Sequence, residues 1–430
     1  MRVTILTLGS RGDVQPYVAL GAGLRRAGHA VSLATHREFE PLIRAHGLDF
    51  APVAGDPREI VRSSEAQRWL DANNNPVGFS LGLFRVVAPL VEQVFRDALA
   101  ACAGADLIIP SVLGVFAGYH IHQKTGQRLL PAYLQQLHST SAFPAQIVPL
   151  PPAGPWSPAY NRLSYWLAEN VFWQLGRGVI NRARRTVLGL PPLPWGGMVD
   201  RGFAARNPFL YGFSEHVLPR PPEWPANVHV TGYWFLDTPA DYQPPAALAR
   251  FLEAGPPPIS IGFGSLVRRD PAGLTRRLLE ALRLTGQRGL LLGGWGGLDD
   301  ADLPATVLHL EAVPHDWLFP RVAAVVHHGG SGTTAAGLRA GVPSIVLPIF
   351  GDQPFWAWRV AQLGVGPAPI PEARLTVRRL AAALDQALTD TALRQRAAAL
   401  GGKIRAEAGV ERAVAVVNQL AGPVIVGDRV

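Results

Sequence analysis

The sequence has very little cysteine and few charged residues for its length. Cys102 is the only cysteine among 430 residues, which excludes an internal disulfide bond and a zinc site built from cysteines, and which fits a reducing compartment. Charged residues make up only 17% of the chain, whereas hydrophobic residues make up 48% and include 11 tryptophans. This composition excludes a disordered chain and predicts a globular protein.

Long hydrophobic runs are also absent. The most apolar stretch, residues 108–119, is too short to cross a bilayer as a helix. Residues 1–9 form a brief apolar run without a small-residue cleavage site, so they are predicted to be a buried strand and not a signal peptide. We therefore expect a cytoplasmic protein, with a peripheral position on a membrane surface as the alternative.

The basic residues do not form a block, although the net charge is +8. A positive balance favours anionic partners such as nucleotides or acidic lipid headgroups. No helix-turn-helix, RNA-binding sheet or finger spacing is present, so a nucleic-acid partner is not expected. A solvated, arginine-rich surface accounts equally well for much of the charge.

Two nucleotide-binding fingerprints are missing. No Gly-Lys-Ser/Thr sequence follows a glycine-rich loop, which excludes a Walker loop. Residues 9–12 do not give Gly-x-Gly-x-x-Gly, and residues 21–23 fall inside a predicted helix, so a dinucleotide-dependent dehydrogenase is excluded as well.

Strand and helix signals alternate in two separate series, as in parallel α/β sheets. In the first half, strands are predicted at residues 3–8, 30–34, 105–110 and 128–133, with helices at 16–27 and 112–125. In the second half, strands are predicted at 259–262, 289–292, 307–310, 323–327 and 344–348, with helices at 271–285 and 333–340.

Proline-rich segments separate the two series, and the one at residues 239–258 is predicted to be an interdomain linker. We therefore expect two doubly wound α/β domains that face each other across a cleft, since a chain of this length exceeds one ordinary core. The predicted divisions are an acceptor-binding domain at 1–240, a donor-binding domain at 241–405, and a terminal helix and tail at 406–430. That helix, at about 410–420, is a candidate to pack back on the first domain.

The strongest local pattern is HHGGSGTT at residues 327–334, between a buried strand and an alanine-rich helix. Glycines let a ligand approach the backbone, and a helix N-terminus presents free N–H groups and a positive dipole end. The pattern predicts a diphosphate site. A glycine-rich turn with an ordinary Ser/Thr helix cap is the alternative.

The loop after the next strand reads FGDQP at residues 350–354. A carboxylate beside an amide can bind vicinal hydroxyls, so Asp352 and Gln353 are candidates to hold a hexose. A solvated turn is the alternative, but the position one strand after the phosphate loop favours the sugar site.

These motifs together resemble nucleotide-sugar glycosyltransferases of the GT-B fold, and most of all the branch with sterol 3β-glucosyltransferases. The resemblance also rests on GSRGDVQP at residues 9–16, VPHDWLF at 313–319 and the segment 181–190, so it covers both halves. One departure is Ala336, which stands where many plant relatives have a ribose-binding glutamate.

The resemblance implies a donor site. His328, Ser331, Gly332 and Thr333 would hold the diphosphate, and Asp352 and Gln353 would hold the sugar. The remaining donor contacts would come from Ser10, Arg11, Ser265, Trp295, Val313 and His315. Of these, Val313 and His315 would lie beside the nucleoside, Trp295 would stack on the base, and the others would reach the phosphates.

Asp13 is the candidate catalytic base, because an aspartate occupies this place in the sterol and glycopeptide branches. A carboxylate that caps the following helix is the alternative. The implied reaction is one inverting displacement without a metal ion or cofactor, the nucleotide sugar being a co-substrate. No Asp-x-Asp motif stands at a strand end, and the acidic residues at 299–302 are interpreted as solvated surface.

The predicted function is transfer of a hexose, glucose from UDP-glucose foremost, to a sterol or related lipid alcohol. The alternative is a natural-product glycosyltransferase that uses a dTDP- or UDP-deoxysugar, and a non-catalytic nucleotide-sugar binder is a third hypothesis. The aromatic and basic segment 156–190, with His138 and Phe143, is the candidate acceptor side. Core packing is the alternative for its aromatic residues.

Overall fold

We describe the chain from a computed structural model, which covers residues 1–57, 59, 76–150, 157–197, 201–264, 270–293 and 303–421. Two five-stranded sheets and one three-stranded sheet make up the described part, and all strand pairs are parallel. The structure confirms the predicted pair of doubly wound α/β domains.

The first half contains eight described strands. They are β1 Arg2–Leu6, β2 Ala30–Thr35, β3 Asp49–Pro52, β4 Leu107–Pro110, β5 Arg128–Leu129, β6 Ala132–Tyr133, β7 Phe209–Tyr211 and β8 Val228–Val230. Its described helices are α1 Arg11–Arg26, α2 Glu40–Ala45, α3 Pro76–Val87, α4 Val91–Ala101, α5 Val115–Thr125, α6 Ser157–Ala183 and α7 Arg201–Arg206.

The second half contributes five described strands. They are β9 Ile259–Gly262, β10 Gly289–Leu292, β11 Val307–Leu310, β12 Ala324–His327 and β13 Ser344–Val346. Its described helices are α8 Ala246–Glu253, α9 Pro271–Leu284, α10 His315–Leu318, α11 Ser331–Ala340, α12 Gln353–Gln362, α13 Val377–Thr389, α14 Thr391–Arg405 and α15 Gly409–Ala421. Short 3₁₀ turns lie at Arg37–Phe39, Ala88–Leu90, Phe319–Arg321 and Glu372–Arg374, and a π-helical turn lies at Arg184–Leu188.

The two large sheets have the same strand order. It is β3-β2-β1-β4-β5 in the first and β11-β10-β9-β12-β13 in the second. The central strands β4, β10 and β12 are buried along their whole length, as expected where helices cover both faces of a parallel sheet. The chain reverses its winding direction between β1 and β4, and between β9 and β12, which is where such sheets bind ligands.

Two predictions of local structure are wrong. Residues 128–133 are not one strand, because Pro131 has no N–H to continue the ladder; β5 pairs with β4, and β6 pairs with β7 in another sheet. Helix α1 begins at Arg11 and contains Pro16, so the proline is not its start. Ser10 caps the helix and thereby begins it five residues before the proline.

One hydrophobic cluster contains residues of both halves, including Phe213 and Leu218 from the first and Val346 and Phe355 from the second. The rings of Phe143 and Phe355 are 6.0 Å apart. Asp316 also accepts hydrogen bonds from the N–H and hydroxyl of Thr238, both at 2.6 Å. Apolar packing and charged hydrogen bonds therefore fix the two halves against each other.

The last described helix, α15, lies on the first half. Ala413 and Val417 belong to the hydrophobic cluster of the first sheet, and a Cβ on Gly23 of α1 would lie 2.3 Å from Val410 Cγ1. His29 and Asn418 share a hydrogen bond of 2.8 Å. The chain thus returns to the first domain after the second, and the division points at 240 and 405 stay predictions.

Candidate active site

The first wall of the cleft is the loop between β1 and α1. Gly9 has a φ of +120°, a conformation that favours glycine, and a Cβ there would lie 2.5 Å from Asp13 Oδ2. Ser10 is the N-cap, and its N–H and hydroxyl donate to the same oxygen at 2.9 and 3.0 Å. Asp13 therefore does contribute to capping, but from the third helical position and not as the N-cap itself.

The surroundings of Asp13 nonetheless disfavour its charged form. Burial raises its pKa, and the two hydrogen bonds from Ser10 offset only part of that effect. A carboxylate whose anionic form is destabilised is a stronger base, so the environment suits proton abstraction.

The second wall is the loop between β12 and α11. Gly330 is the N-cap of α11, and no side chain caps its N–H groups. Ser331, Gly332 and Thr333 are the first three residues of this helix. The three predicted residues therefore lie together on one helical turn. Free N–H groups and hydroxyls at a helix start can bind an anion.

The ring of His328 covers the same loop. A Cβ on Gly330 would lie 2.5 Å from His328 Nε2, and one on Gly264 would lie 3.1 Å from His328 Cε1. The imidazole therefore sits between the loop after β9 and the start of α11. Glycine at both positions leaves room for the imidazole, and Gly264 also has a positive φ of +62°.

The starts of α1 and α11 face each other across the cleft. A Cβ on Gly332 would lie 3.9 Å from the Cα of Gly12. Both helices direct their positive dipole ends into this gap. An anion bound between the two domains would therefore be stabilised from both sides.

Arg11 extends the positive potential to His315. Burial, with a smaller contribution from the charge of Arg11, lowers the pKa of His315 to about 4. The His315 ring stacks on Phe319 with centroids 4.4 Å apart. His315 is thus neutral and can act as a hydrogen-bonding surface beside the cleft.

Val313 does not point into the cleft. Its side chain is buried in the hydrophobic cluster that includes Leu292, Leu318 and Phe319. The role expected for it at the nucleoside is therefore open only to its main chain.

Asp352 and Gln353 lie at the start of α12. Asp352 is the N-cap, and its Oδ2 accepts from the indole N–H of Trp356 at 3.0 Å. Burial raises the pKa of Asp352 to about 6, and the charge of Asp13 raises it as well. The side-chain oxygen of Gln353 accepts from the N–H groups of Ile349 and Phe350 at 2.9 and 3.3 Å, so the predicted sugar contact of this residue is open only to its amide NH₂.

Two predicted donor residues, Ser265 and Trp295, lie outside the described residues, as does Trp156 of the acceptor segment. His36 was missed by the motif analysis, although the N–H of Gly9 donates to its Nε2 at 3.2 Å. The signal was available, because His36 follows β2 directly and the carboxyl ends of parallel strands meet at one edge.

The acceptor-side aromatics fall into two groups. Trp173, Tyr165 and Phe143 are buried in hydrophobic clusters, so core packing accounts for them. Leu163, Trp166 and Leu167 of α6 are instead 58%, 56% and 47% exposed. His138 is part-buried and shares a 2.6 Å hydrogen bond with the hydroxyl of Tyr211.

In the described parts of the chain, no three or more His, Cys, Asp and Glu side chains are grouped as a metal site would require. Likewise, none of the described helices is long and apolar enough to cross a membrane.

Two family models match the chain, one in each half. The glycosyltransferase family 28 N-terminal domain matches residues 3–95. The C-terminal domain of erythromycin biosynthesis protein CIII-like proteins matches residues 296–419.

Curated relatives match across both halves. The chain is 39% identical over 427 residues to a sterol 3-beta-glucosyltransferase of Neosartorya fischeri, and this covers 96% of the chain but 29% of the relative. A sterol 3-beta-glucosyltransferase of Cryptococcus neoformans is 37% identical over 438 residues, with 96% and 27% covered. The chain thus spans less than a third of the length of these relatives.

Solved structures share the architecture. The glycosyltransferase of kitacinnamycin superposes with a TM-score of 0.70 at 20% identity, covering 97% of this chain and 98% of that one. The calicheamicin glycosyltransferase CalG4 gives 0.66 at 18% identity, with 99% of each chain covered. SsfS6 of Streptomyces sp. SF2575, solved with thymidine diphosphate, gives 0.63 at 21% identity, with 97% and 99% covered. These likenesses confirm the GT-B fold.

Proposed function

We propose that this chain, which has the GT-B fold, is a glycosyltransferase that transfers glucose from UDP-glucose to the hydroxyl of a sterol or related lipid alcohol. The observation that carries the proposal is that the starts of α1 and α11, which differ in capping, face each other across one cleft. The Asp13 carboxylate stands on one side, and the N-terminus of α11 without a side-chain cap stands on the other.

Each side has its own role in the proposed reaction. Asp13 takes the proton of the acceptor hydroxyl, and the acceptor oxygen forms a bond to the anomeric carbon. The bond from that carbon to the phosphate oxygen breaks at the same time, so the configuration is inverted. The start of α11 with Ser331, Gly332, Thr333 and His328 stabilises the leaving diphosphate.

The other predicted residues are assigned to binding. Arg11 and Ser10 reach the phosphates from the first domain, His315 and the main chain of Val313 line the nucleoside, and Asp352 with the Gln353 amide holds the sugar hydroxyls. Ser265 and Trp295 keep their predicted donor roles. The reaction needs no metal ion or cofactor in this proposal, because the helix dipoles, Arg11 and the neutral donors offset the phosphate charge.

A deoxysugar on a dTDP carrier is the second candidate donor. The match to the erythromycin CIII-like domain and the fold likeness to SsfS6, solved with thymidine diphosphate, support it. The Asp352–Gln353 pair supports glucose instead, since a carboxylate and an amide suit a sugar that retains its vicinal hydroxyls.

The test is nucleoside diphosphate release on mixing the protein with UDP-glucose or a dTDP-deoxysugar and a panel of sterols and polyphenols. Acceptor-dependent UDP release supports the main proposal. Turnover with the dTDP-sugar alone moves the protein to the second candidate. Nucleotide binding without turnover with any donor and acceptor identifies a non-catalytic binder and refutes both.

We also propose that the exposed face of α6, formed by Leu163, Trp166 and Leu167, rests on an anionic membrane surface. The exposed apolar side chains and the net charge of +8 support this. Such a position would bring the cleft to a membrane-resident acceptor. A cytoplasmic location stays a prediction.

Sedimentation with vesicles of phosphatidylcholine, with and without phosphatidylglycerol, tests the contact. The double variant Leu163→Ser/Trp166→Ser is expected to lose binding to the anionic vesicles. Leu284→Ser is the matched control, because Leu284 is 52% exposed on a helix of the second domain. Equal binding by both variants refutes the contact.

A further inference from the structure

A buried histidine lies behind the loop that carries Asp13. His36 follows β2 directly and is only 6% exposed. The N–H of Gly9 donates to its Nε2 at 3.2 Å. The N–H of Thr7 also donates to the carbonyl of Ala34 at 3.1 Å, so the chain beyond β1 stays beside the chain beyond β2.

The hydrogen bond that His36 accepts comes from Gly9, whose conformation positions the Ser10 N–H that binds Asp13. Gly9 adopts a positive φ of +120°, and its turn directs the Ser10 N–H towards the Asp13 carboxylate at 2.9 Å. The hydroxyl of Thr7 holds the Asp13 carbonyl at 2.7 Å. A rotation of the Gly9 peptide would therefore move the Ser10 donor and the carboxylate together.

The contact also fixes the protonation state of the histidine. Nε2 accepts a hydrogen bond from an amide, so the proton of the neutral ring is on Nδ1, and an imidazolium could not make this bond. Burial lowers the pKa of His36, although the backbone of Val53, Ala54 and Gly55 and the charge of Asp56 act in the opposite direction. The neutral form is therefore the one present near pH 7.

The surroundings hold the ring in place. Gly55 has a φ of +110°, and a Cβ there would lie 3.1 Å from His36 Cε1, so this glycine leaves room for the imidazole. On another side, His36 borders a cavity of about 380 Å³ whose charged lining residues are Arg37, Glu38, Asp56 and Asp97. Because the ring is packed and its Nε2 accepts from the Gly9 N–H, His36 can hold the Gly9 peptide in place.

We propose that His36 is a positioning residue for Asp13, because its Nε2 holds the Gly9 N–H and so keeps the Gly9–Ser10 turn in the shape that presents the carboxylate to the acceptor hydroxyl. The inference rests on the proposed role of Asp13 as the base. His36 does not itself touch either substrate in this mechanism.

Two amide substitutions at one position test this role. The side-chain oxygen of Gln in His36→Gln can reach the Gly9 N–H, whereas that of Asn in His36→Asn is one methylene too short. We expect kcat to fall roughly 10- to 100-fold in His36→Asn, the cost of a small misplacement of a reacting group, with the donor KM unchanged. His36→Gln is expected to retain most of kcat.

The matched control is His46→Gln, since His46 is a part-buried histidine of the same domain whose Nδ1 bonds the carbonyl of Leu42 at 2.8 Å away from the cleft loops. It should leave kcat unchanged. Equal losses in His36→Gln and His36→Asn, or no loss in either, would overturn the inference.

Hydrogen exchange of the peptide covering residues 7–13 gives a readout independent of turnover. Exchange should be faster in His36→Asn and close to wild type in His36→Gln and His46→Gln. If the wild-type protein transfers no sugar, the proposed function fails, and this experiment still decides whether His36 holds the loop. Unchanged exchange in all three variants refutes the contact.

Discussion

The two helix starts that face each other across the cleft follow the same kind of strand and loop but differ in how they are capped. Both α1 and α11 follow a buried parallel strand through a glycine-containing loop. In α1 the third helical residue is Asp13, and its carboxylate binds the Ser10 N–H and hydroxyl. In α11 the same position is Thr333, the N-cap is Gly330, and no side chain caps the helix.

This difference separates two chemical tasks. In a helix start that supplies its own carboxylate, that charge offsets part of the positive dipole end, and the carboxylate is available as a base. A helix start without a carboxylate keeps its positive end for an anionic ligand. In the proposed function, the same local fold therefore serves as the base on one wall and as the leaving-group site on the other.

The largest effect is expected on removing the base while keeping the cap. In Asp13→Asn, the amide oxygen still accepts from Ser10, but it cannot take a proton. We expect kcat to fall about 10²- to 10⁴-fold, while UDP affinity measured by calorimetry and the Tm stay close to wild type. Wild-type turnover in this variant would assign Asp13 to capping alone.

Alanine substitution of one loop glycine in each domain should separate an effect on kcat from an effect on donor affinity. In Gly9→Ala, the new Cβ would lie 2.5 Å from Asp13 Oδ2, so we expect kcat to fall about 10- to 100-fold with unchanged UDP affinity. In Gly264→Ala, the new Cβ would lie 3.1 Å from His328 Cε1, so UDP affinity should fall instead. The same response in both variants would contradict the division of tasks.

Making the second helix start like the first should block the donor. Thr333→Asp places a carboxylate at the third position of α11, where it repels the diphosphate. We expect UDP affinity to fall roughly tenfold or more, which corresponds to about 1.4 kcal/mol. Thr333→Asn is the uncharged control, and equal losses in both would show that size and not charge is responsible.

The smallest effect is expected on stability at Asp352. Its pKa is raised to about 6, so the folded state binds its proton more tightly than the unfolded state does, and stability decreases as pH rises from about 4 to 6. Asp352→Asn removes this loss while its side-chain oxygen can still accept from Trp356. We expect a Tm about 2–4 °C above wild type at pH 7.5, and no difference at pH 4.

A lower Tm in Asp352→Asn at pH 7.5 would contradict a destabilised carboxylate. Donor affinity should decrease in the same variant if Asp352 binds the sugar. Gain of stability with loss of binding is the pattern expected where function maintains an unfavourable charge.

Where the sequence analysis succeeded, the signal was local. The strands β9, β10 and β11 lie at the predicted residues, and β10 is buried along its whole length, as expected for an interior strand of a parallel sheet. The error at residues 128–133 had a different origin, because these residues pair with β4 and β7 in two different sheets. The error at Pro16 was local, since Ser10 caps the helix ahead of the proline.

The sequence by itself determined two doubly wound domains and predicted an anion site at the start of α11, because glycine spacing, hydroxyl donors and apolar runs act over a few residues. Asp13 became a candidate base only through the resemblance of its motif to a known family. Only the tertiary structure decided that Gly12 faces Gly332, that Val313 points into the core, that Asp13 raises the pKa of Asp352, and that His36 supports Gly9. These depend on contacts between residues far apart in the chain, which are fixed by how the two sheets and their loops pack and not by any single segment.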